Sequence, residues 1–404
     1  MNINKARLLC LFIIALITVN CEKNPHSGSD TNNPNNGNNA TLKDTLPPYP
    51  ANRFVMGADL SYVNAIQDAG ATYKDSGSIQ DPYRIFKNNG ANLVRLRMWH
   101  KPVWQKNLNG GKIYNELLDI EKAINKCKQV GLAVNLNLHF SDTWADPGRQ
   151  ETPVAWKNAD LKTLQDSIYN YTFFVLNYLK TKSLVPEMIQ IGNENNSGIC
   201  WPLGKINNND FSAFTSLLKS GIAAVREFSK TSDVKPQIIL HVAQLQNAEW
   251  WVNGVINQGK ITDFDIIGLS HYFNWSTVSS FDELTKIINS LKTKYNKKVM
   301  IVETAYPWTN KNADGYNNII NGNQGFQAYG VSEEAQLNYL QDLTQAIING
   351  GGTGIMYWEP AWITSSMRDA WGTGSSWDNC TLFDASGNAI KGMQFYGKKY
   401  VFGK

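Results

Sequence analysis

Eight short apolar segments alternate with amphipathic segments between residues 54 and 358. Each apolar segment has the length of a buried strand, and the segments between them include several with helical spacing. Alternating strands and helices predict an α/β fold with a parallel sheet. Eight such units in one stretch favour a single (β/α)8 TIM barrel over an open doubly wound sheet. The predicted strands are Phe54–Leu60, Leu93–Trp99, Leu132–Phe140, Met188–Glu194, Gln237–Val242, Phe264–Ser270, Val299–Glu303 and Gly354–Trp358.

The helical pattern is clear in the segment Glu116–Val130, where Leu117, Ile120, Ile124 and Cys127 fall on one face. The other predicted helices are Leu164–Lys182, Phe211–Ser229, Phe281–Tyr295 and Glu333–Asn349. No Gly-x-Gly-x-x-Gly motif follows the first predicted strand. Its absence argues against a dinucleotide-binding fold.

The N-terminus carries the features of a targeting signal. Lys5 and Arg7 precede the apolar run Leu8–Val19, which is shorter than the ~20 residues of a membrane-spanning helix. Residues 1–20 resemble a bacterial lipoprotein signal peptide, and Cys21 is the expected site of lipid attachment. The alternative is an ordinary signal peptide that is cleaved without lipid attachment.

A linker is predicted between this signal and the folded domain. Residues 21–50 are rich in Asn, Gly, Ser and Pro and have almost nothing apolar to bury, which is typical of a flexible tether. No second segment of this kind follows, so residues 51–404 are predicted to form one domain. We expect the protein in the bacterial cell envelope, either secreted or lipid-anchored in the outer membrane, facing the periplasm or the surface.

The composition argues against several classes of function. Net charge is +4 with both signs mixed along the chain, so no basic stripe marks a nucleic-acid site. Cys127, Cys200 and Cys380 lie far apart, which fits neither a disulfide framework nor a zinc site. The 13 tryptophans suit a soluble protein that stacks on a flat ligand, and we expect it to be a monomer.

Two glutamates close predicted strands, Glu194 at the end of run 188–194 and Glu303 at the end of run 299–303. In a barrel, the carboxyl ends of the strands form the face that carries chemistry. The fourth and seventh strands lie nearly opposite each other, so both side chains can reach one substrate. Glycoside hydrolysis needs such a pair, one carboxyl to protonate the leaving oxygen and one to attack or activate water. A structural ion pair is the alternative for either glutamate alone.

Motifs at the predicted strand ends carry a resemblance to a known family. They are Gly57-Ala58-Asp59-Leu60-Ser61, Val94-Arg95-Leu96-Arg97-Met98-Trp99, Leu138-His139-Phe140-Ser141-Asp142-Thr143-Trp144-Ala145-Asp146-Pro147, Gln190-Ile191-Gly192-Asn193-Glu194-Asn195 and Val302-Glu303-Thr304-Ala305-Tyr306-Pro307-Trp308. With these motifs the chain resembles glycoside hydrolase family 53, the endo-β-1,4-galactanases. The resemblance implies a retaining enzyme with Glu194 as acid/base, Glu303 as nucleophile and no cofactor for catalysis.

The predicted cleft is lined by polar and aromatic side chains. The predicted substrate-binding residues are Asp59, Arg95, Arg97, His139, Asp142, Trp144, Asp146, Asn193, Tyr272 and Trp358. Arg95 and Arg97 alternate on one strand and share a face, so one of them is expected to hold the nucleophile ionised. The alternative for either arginine is an ion pair with a helix on the outer face.

Further roles follow for members of this set. The resemblance implies that Asn193 contacts the sugar 2-hydroxyl, and His139 is expected in the cleft because the polar residues below it share its face. The loop with Asp142, Trp144 and Asp146 is expected to hold sugar hydroxyls and one ring face. Trp358 is expected to stack on a sugar, with barrel packing as the alternative.

The sixth predicted strand departs from the family pattern. His271-Tyr272 follows Leu-Ser where the family has two tyrosines. Tyr272 is the expected partner of Glu303, whereas no role is assigned to His271.

A calcium site is predicted between two loops at the barrel mouth. Oxygen-bearing side chains alternate along residues 310–318, as in sites for hard cations, and some family members bind calcium between this loop and the one after the last strand. The predicted ligands are Asn312, Asp314, Asn318 and Asp378. The alternative is a loop of Asn and Gly residues without metal.

The sequence therefore predicts an endo-acting, retaining galactanase whose substrate is β-1,4-galactan or type I arabinogalactan. Another hydrolase of the same clan, such as a mannanase or cellulase, is the enzyme alternative. A glycan-binding lipoprotein on an inactive hydrolase barrel is the alternative outside the enzymes. Loss of either glutamate would favour it, and neither is lost.

Overall fold

Eight parallel strands close into a barrel in which each strand pairs with two neighbours. The computed structural model describes residues 52–321, residue 326 and residues 329–403, which belong to one compact unit, Leu46–Lys404. The predicted signal peptide and linker, residues 1–50, lie outside the described residues. The barrel strands are β1 Val55–Asp59, β4 Leu93–Met98, β5 Ala133–Leu138, β6 Met188–Ile191, β7 Gln237–Ala243, β8 Ile266–Ser270, β9 Lys298–Glu303 and β10 Gly354–Tyr357.

The remaining strands, β2 Tyr73–Asp75 and β3 Ser78–Gln80, form a small antiparallel hairpin outside the barrel. Helices connect the barrel strands, as in right-handed crossovers between parallel strands of one sheet. They are α1 Val63–Asp68, α2 Pro82–Asn88, α3 Leu117–Gln129, α4 Leu161–Thr181, α5 Ser212–Ser229, α6 Leu245–Asn253, α7 Phe281–Tyr295 and α8 Glu333–Asn349. In the part of the chain that the structure describes, no helix has the length and hydropathy needed to cross a bilayer.

Side-chain caps determine where several of these helices begin. Glu116 accepts hydrogen bonds from the backbone N–H groups of Leu118 and Asp119 at the start of α3. Comparable caps satisfy N–H groups that have no partner within the helix. They are supplied by Asp81 for α2, Asp160 for α4, Ser280 for α7 and Ser332 for α8.

All eight predicted strands are present, which confirms the barrel. The predicted helices over 281–295 and 333–349 match α7 and α8 to the residue. Several strand predictions were one to three residues too long, and the largest excess at a carboxyl end is in β6, which ends at Ile191, three residues before Glu194. Gly192 and Glu194 have φ of 77° and 45°, so the backbone turns out of the strand before it reaches the glutamate.

Inward-facing residues divide the barrel interior into two layers. The lower layer, called the floor cluster below, is an apolar group to which every barrel strand contributes. Its members are Val55, Leu93, Ala133, Met188, Ile239, Ile266, Met300, Val302 and Met356. Side chains two residues further along a strand point to the same side, so polar residues stack directly above this floor. Arg95 above Leu93, Gln190 above Met188 and His241 above Ile239 are examples, all three buried.

Candidate active site

A cavity of about 710 Å³ opens at the carboxyl ends of the barrel strands. Both predicted catalytic glutamates line it, and so do most of the predicted binding residues. Those that line it are Arg95, Arg97, His139, Trp144, Asp146, Asn193, Tyr272 and Trp358. The structure therefore brings these residues together at one cavity, and the roles assigned to them stay predictions.

Glu194 and Glu303 face each other across this cavity. A carboxylate oxygen of each lies within 4.8 Å of the other, with a ring nitrogen of His241 at the same range. Carboxyl groups about 5–5.5 Å apart suit direct attack on the sugar, whereas inverting enzymes hold theirs about 6.5–9.5 Å apart to admit a water molecule. This spacing fits a retaining hydrolase.

Glu303 ends β9 and is held by two donors. Arg95 Nη2 lies 2.7 Å from its Oε1, and the hydroxyl of Tyr272 donates to Oε2 at 3.1 Å. Burial raises the pKa of Glu303, and the adjacent Arg95 opposes that rise. Both contacts favour the ionised carboxylate.

Arg95 itself is fixed from several strands. Its Nη1 lies 2.7 Å from Asp59 Oδ2, and its Nη2 also donates to Asn193 Oδ1 at 2.7 Å. Asp59 is fully buried and does not line the cavity. It therefore holds Arg95 in place and does not make the predicted contact with substrate. The outer-face alternative is wrong for Arg95, which lies inside the barrel.

Glu194 has a different environment from Glu303. The hydroxyl of Ser270 donates to its Oε1 at 2.5 Å, and within the described residues no ion pair reaches it. Burial, and then the charge of Glu303, raise the pKa of Glu194 to about 8. Since Glu303 has the cation and Glu194 does not, Glu194 is the carboxyl that keeps its proton near neutral pH.

Asn193 precedes Glu194 in the chain and contacts Arg95, the partner of Glu303. Its Oδ1 accepts from Arg95 and from Asn137 Nδ2, the latter at 2.9 Å, and its Nδ2 donates to Ala145 O at 2.8 Å. Among the described residues, Nδ2 has no other acceptor, so its second hydrogen is available to a ligand in the cavity that Asn193 lines. The predicted contact with a sugar 2-hydroxyl therefore has a donor in place, although the contact itself stays a prediction.

His139 is buried at the side of the cavity and is neutral. Burial, followed by the charges of Arg97 and Arg95, holds the pKa of His139 well below its usual range. Its Nδ1 accepts from the backbone N–H of Ala145 at 3.3 Å, so its Nε2 carries the hydrogen. His139 is therefore a hydrogen-bond donor at the cavity and not a cation.

Arg97 supports the aromatic wall of the cavity. Its Nη1 lies 3.0 Å from Glu359 Oε1, and its guanidinium carbon lies 4.0 Å from the ring centroid of Trp144. A cation over an indole face is attractive. Like Arg95, Arg97 lies inside the barrel, so the outer-face alternative is wrong here too. Glu359 is buried and does not line the cavity.

Trp358 forms part of the same wall. Its ring meets Trp377 edge to face at 4.8 Å and lies 5.9 Å from Trp144. Trp275 and Trp371, each about half exposed, line the cavity further out. Aromatic side chains at both the buried and the exposed parts of the cavity suit a ligand longer than one ring.

Asp142 does not line the cavity, so its predicted contact with sugar is corrected. Its carboxylate accepts from the backbone N–H groups of Lys101 and Val154, both at 2.8 Å, and lies 3.3 Å from His100 Nδ1. These contacts hold the loop that follows β5 in its fold. Asp146 does line the cavity, where its Oδ2 pairs with Arg149 Nε at 2.7 Å.

Three of the four predicted calcium ligands, Asn312, Asn318 and Asp378, meet one another, whereas Asp314 makes other contacts. Asn318 Nδ2 donates to Asn312 Oδ1 at 2.6 Å and to Asp378 Oδ1 at 2.7 Å, so an amide group joins these oxygens. Asp314 instead accepts from the backbone N–H groups of Tyr316 and Ser375. These residues do not fit a calcium ion, because donors already occupy the positions between the oxygens.

Sequence reasoning missed three polar residues beside Glu194. Ser270 contacts the glutamate directly, His241 contacts Ser270, and Gln190 contacts His241. His241 and Gln190 are isolated polar residues within otherwise apolar strands, a signal that predicts inward-facing groups above the barrel floor. Ser270 gave no such signal, since a buried serine is common in strands of this kind.

Comparisons with known proteins agree with this geometry. The family model described as Glycosyl hydrolase family 53 matches residues 55–396. The chain is similar to an arabinogalactan endo-beta-1,4-galactanase from Cellvibrio japonicus, with 40% identity over 86% of this chain and 91% of that protein. It is also similar to the enzyme of that name from Humicola insolens, with 33% identity over 84% and 98%.

A solved structure of the Ignisphaera aggregans GH53 catalytic domain has a TM-score of 0.77 with this chain, at 32% identity. The match covers 87% of this chain and 98% of that domain. The family match spans the whole barrel, including both glutamates and every residue that surrounds them. The chain belongs to glycosyl hydrolase family 53.

Proposed function

We propose that this protein is an endo-acting, retaining β-1,4-galactanase that cleaves the galactan chains of type I arabinogalactan. The main support is the carboxyl pair: oxygens of Glu194 and Glu303 lie within 4.8 Å of each other. Among the described residues, only Glu303 of the two pairs with a guanidinium, that of Arg95. This asymmetry supplies one ionised and one protonated carboxyl at the same cavity, which the retaining reaction needs.

In the first step, a carboxylate oxygen of Glu303 attacks the anomeric carbon of the sugar. The bond to the glycosidic oxygen breaks, and Glu194 gives its proton to that oxygen, so the leaving chain departs as a neutral alcohol. The product is a glycosyl ester of Glu303. Arg95 and Tyr272 stay beside the carboxyl throughout and redistribute their hydrogen bonds as its charge is lost.

In the second step, Glu194 is ionised and takes a proton from a water molecule. The oxygen of this water attacks the anomeric carbon, and the bond to Glu303 breaks, which restores the carboxylate. Two inversions leave the configuration unchanged, so the new reducing end is the β-anomer. His139 and Asn193, both neutral donors at the cavity, are placed to orient sugar hydroxyls.

The names of the Cellvibrio and Humicola relatives support galactan as the substrate. The open cavity with Trp275 and Trp371 at its outer parts supports internal cleavage of a long chain. Calcium has no part in the proposal, because Asn318 already makes the hydrogen bonds between the two mouth loops.

A reducing-sugar assay on β-1,4-galactan, mannan and cellulose tests the substrate. We expect release from galactan, with short oligosaccharides as early products and the β-anomer first by NMR. Early galactose alone would contradict endo-cleavage, and an early α-anomer would contradict the retaining mechanism. Release from mannan or cellulose alone would make the protein a different hydrolase of the same clan.

The proposal extends to the place of the enzyme, the cell envelope, with lipid on Cys21 and residues 21–50 as a tether. A flexible chain of about 30 residues reaches roughly 30 Å on average, which frees the barrel from the membrane surface. We expect a monomer. Cys21→Ser should move the protein from the membrane fraction to the soluble fraction without loss of activity. A wild-type protein that is already soluble would contradict lipid attachment.

A further inference from the structure

We propose that Ser270 and His241 form a directed hydrogen-bond chain that keeps the catalytic proton of Glu194 on Oε2, the oxygen that faces the substrate. Ser270 and His241 are positioning residues here, since neither reaches the sugar. The inference rests on the proposed function, because it concerns the acid/base residue of that reaction.

The hydrogen-bond chain has a defined direction, which is set by the groups around His241 Nδ1. The backbone N–H of Glu194 points at this nitrogen at 3.2 Å, and the side-chain amide of Gln190 lies 2.9 Å from it. Asn193 Oδ1 also lies 3.2 Å from Nδ1, but this oxygen already accepts from Arg95 Nη2 at 2.7 Å. A backbone N–H is always a donor. His241 Nδ1 must therefore be the acceptor, and the ring hydrogen of the neutral imidazole lies on Nε2.

This tautomer fixes the orientation of the next hydroxyl. His241 Nε2 lies 2.9 Å from Ser270 Oγ, so the ring donates to the serine. The single hydrogen of Ser270 is then directed at Glu194 Oε1, 2.5 Å away. The carbonyl oxygen of a carboxylic acid is a better acceptor than its hydroxyl oxygen, so the bond from Ser270 to Oε1 places the acid proton of Glu194 on Oε2.

The two oxygens of Glu194 therefore differ before substrate binds. Oε1 accepts from Ser270, while Oε2 accepts no hydrogen bond from the described residues, and Glu194 lines the cavity. A carboxylic acid that carries its proton on the cavity side is ready for transfer to the glycosidic oxygen. The same hydroxyl stabilises the anion in the second step, when Glu194 must accept a proton from water.

His241 can hold this direction because it stays neutral. It is fully buried, and burial together with the charge of Arg95 holds the pKa of His241 well below its usual range. A second ring proton would turn Nδ1 into a donor that faces the N–H of Glu194. A neutral His241 therefore keeps the hydrogen-bond chain in one orientation.

Other charged groups also act on Glu194 and must be kept constant in a test. They are Glu303 from β9, Asp146 from the loop after β5 and Arg95 from β4; the first two raise the pKa of Glu194, and the third lowers it. Ser270 lies on β8 and His241 on β7, so both can be changed without altering any of these three.

The test is a pH profile of kcat/KM on β-1,4-galactan for Ser270→Ala and Ser270→Thr. Loss of the hydroxyl removes a donor to the carboxylate, so the pKa of Glu194 rises. The basic limb of the profile, where kcat/KM falls with rising pH, should then move to higher pH by about one unit. On an aryl galactoside, kcat and KM should fall together, because the second step slows and the glycosyl ester accumulates. Ser270→Thr keeps the hydroxyl and should keep the wild-type basic limb.

A second pair of variants tests the histidine with its polarity retained. The amide nitrogen of Gln in His241→Gln reaches the position of Nε2 and keeps a donor for Ser270, whereas His241→Asn does not reach it. We expect the basic limb to move in the Asn variant and to stay in the Gln variant. Thr344→Val controls for loss of a buried hydroxyl, since Thr344 lies on α8, donates to Leu340 O at 2.6 Å and does not line the cavity.

The inference is overturned if Ser270→Ala and His241→Asn fold, as shown by thermal unfolding, and both keep the wild-type basic limb. If one of them does not fold, the other decides by the same criterion. Equal loss of activity in all variants, with no change in pH profile, would leave the chain a purely structural role and also overturn it. A wild-type enzyme without activity on galactan overturns the proposed function instead, and this inference with it.

Discussion

The two sides of the cavity hold the same chemical group in different ways. Glu303 ends a strand and meets a guanidinium and a phenol, whereas Glu194 lies in a turn and meets one serine hydroxyl. A cation at one carboxyl and not at the other separates their proton affinities. The comparison shows that the environments, and not the residue type, assign the acid and the nucleophile.

This difference sets the expected pH dependence of the wild-type enzyme. Glu303 must be ionised, so activity falls as the pH drops through its pKa. Glu194 must be protonated for the first step, so activity falls as the pH rises through about 8. A substitution on one side of the cavity should therefore change the titration of the carboxyl on that side and leave the other carboxyl unchanged.

The largest effect is expected for Glu303→Gln. An amide cannot form the glycosyl ester, so activity on galactan should fall on the order of 10⁴-fold or more. Reducing-sugar release measures it, with thermal unfolding to show that the barrel is intact. Activity close to wild type would mean that Glu303 is not the nucleophile and would remove the basis of the comparison.

Glu194→Ala should lower the activity on galactan about 10²–10⁴-fold, because the leaving chain then departs without a proton. An aryl galactoside with a good leaving group needs little protonation, so its first step should survive. Azide should then speed the second step and give a β-galactosyl azide. Failure of azide to accelerate turnover, with the polymer activity lost, would place the acid/base elsewhere.

Arg95→Lys retains a positive charge but loses the planar fork that reaches Asp59, Asn193 and Glu303 together. Weaker support of the anion raises the pKa of Glu303. The acidic limb of the kcat/KM profile should therefore move to higher pH by about 1–2 units. Movement of the basic limb alone would show that Arg95 acts mainly on the Glu194 side.

The smallest change is expected for Tyr272→Phe, which removes one hydroxyl from the Glu303 side. The acidic limb should move to higher pH by about half a unit, because a single donor at 3.1 Å is lost while the guanidinium remains. Compared directly with Ser270→Ala, which should move only the basic limb, it forms a matched pair. Both variants shifting the same limb would show that the two sides are not independent.

Much of the fold was predictable because periodicity and strand length are local properties. The apolar runs at 93–99 and 299–303 became β4 and β9, and the helices at 281–295 and 333–349 began and ended where their patterns did. The sequence predicts a strand that reaches Glu194 because only Gly192 and Asn193 separate this glutamate from the largely apolar run 188–191. The two turns at Gly192 and Glu194 depend on positive φ, which the run of residue types does not reveal.

The site was predictable where a residue type is costly to bury and less so elsewhere. Arg95 and Glu303 stood out because charged groups inside a barrel need partners. Ser270 and Asp142 did not, since a serine in a strand is unremarkable and a carboxylate in a loop fits either a sugar or a backbone N–H. Only the contacts between distant strands separate these possibilities.

The floor cluster described above contains three methionines, Met188, Met300 and Met356, each at most 2% exposed. Oxidation of methionine to its sulfoxide places a polar group where the core requires an apolar one. Beneath Arg95 and Gln190 such a group would compete for their hydrogen bonds. Because the floor cluster is buried, oxidants do not reach these methionines while the barrel stays folded. Durability of the enzyme under peroxide is therefore limited by how often the barrel opens.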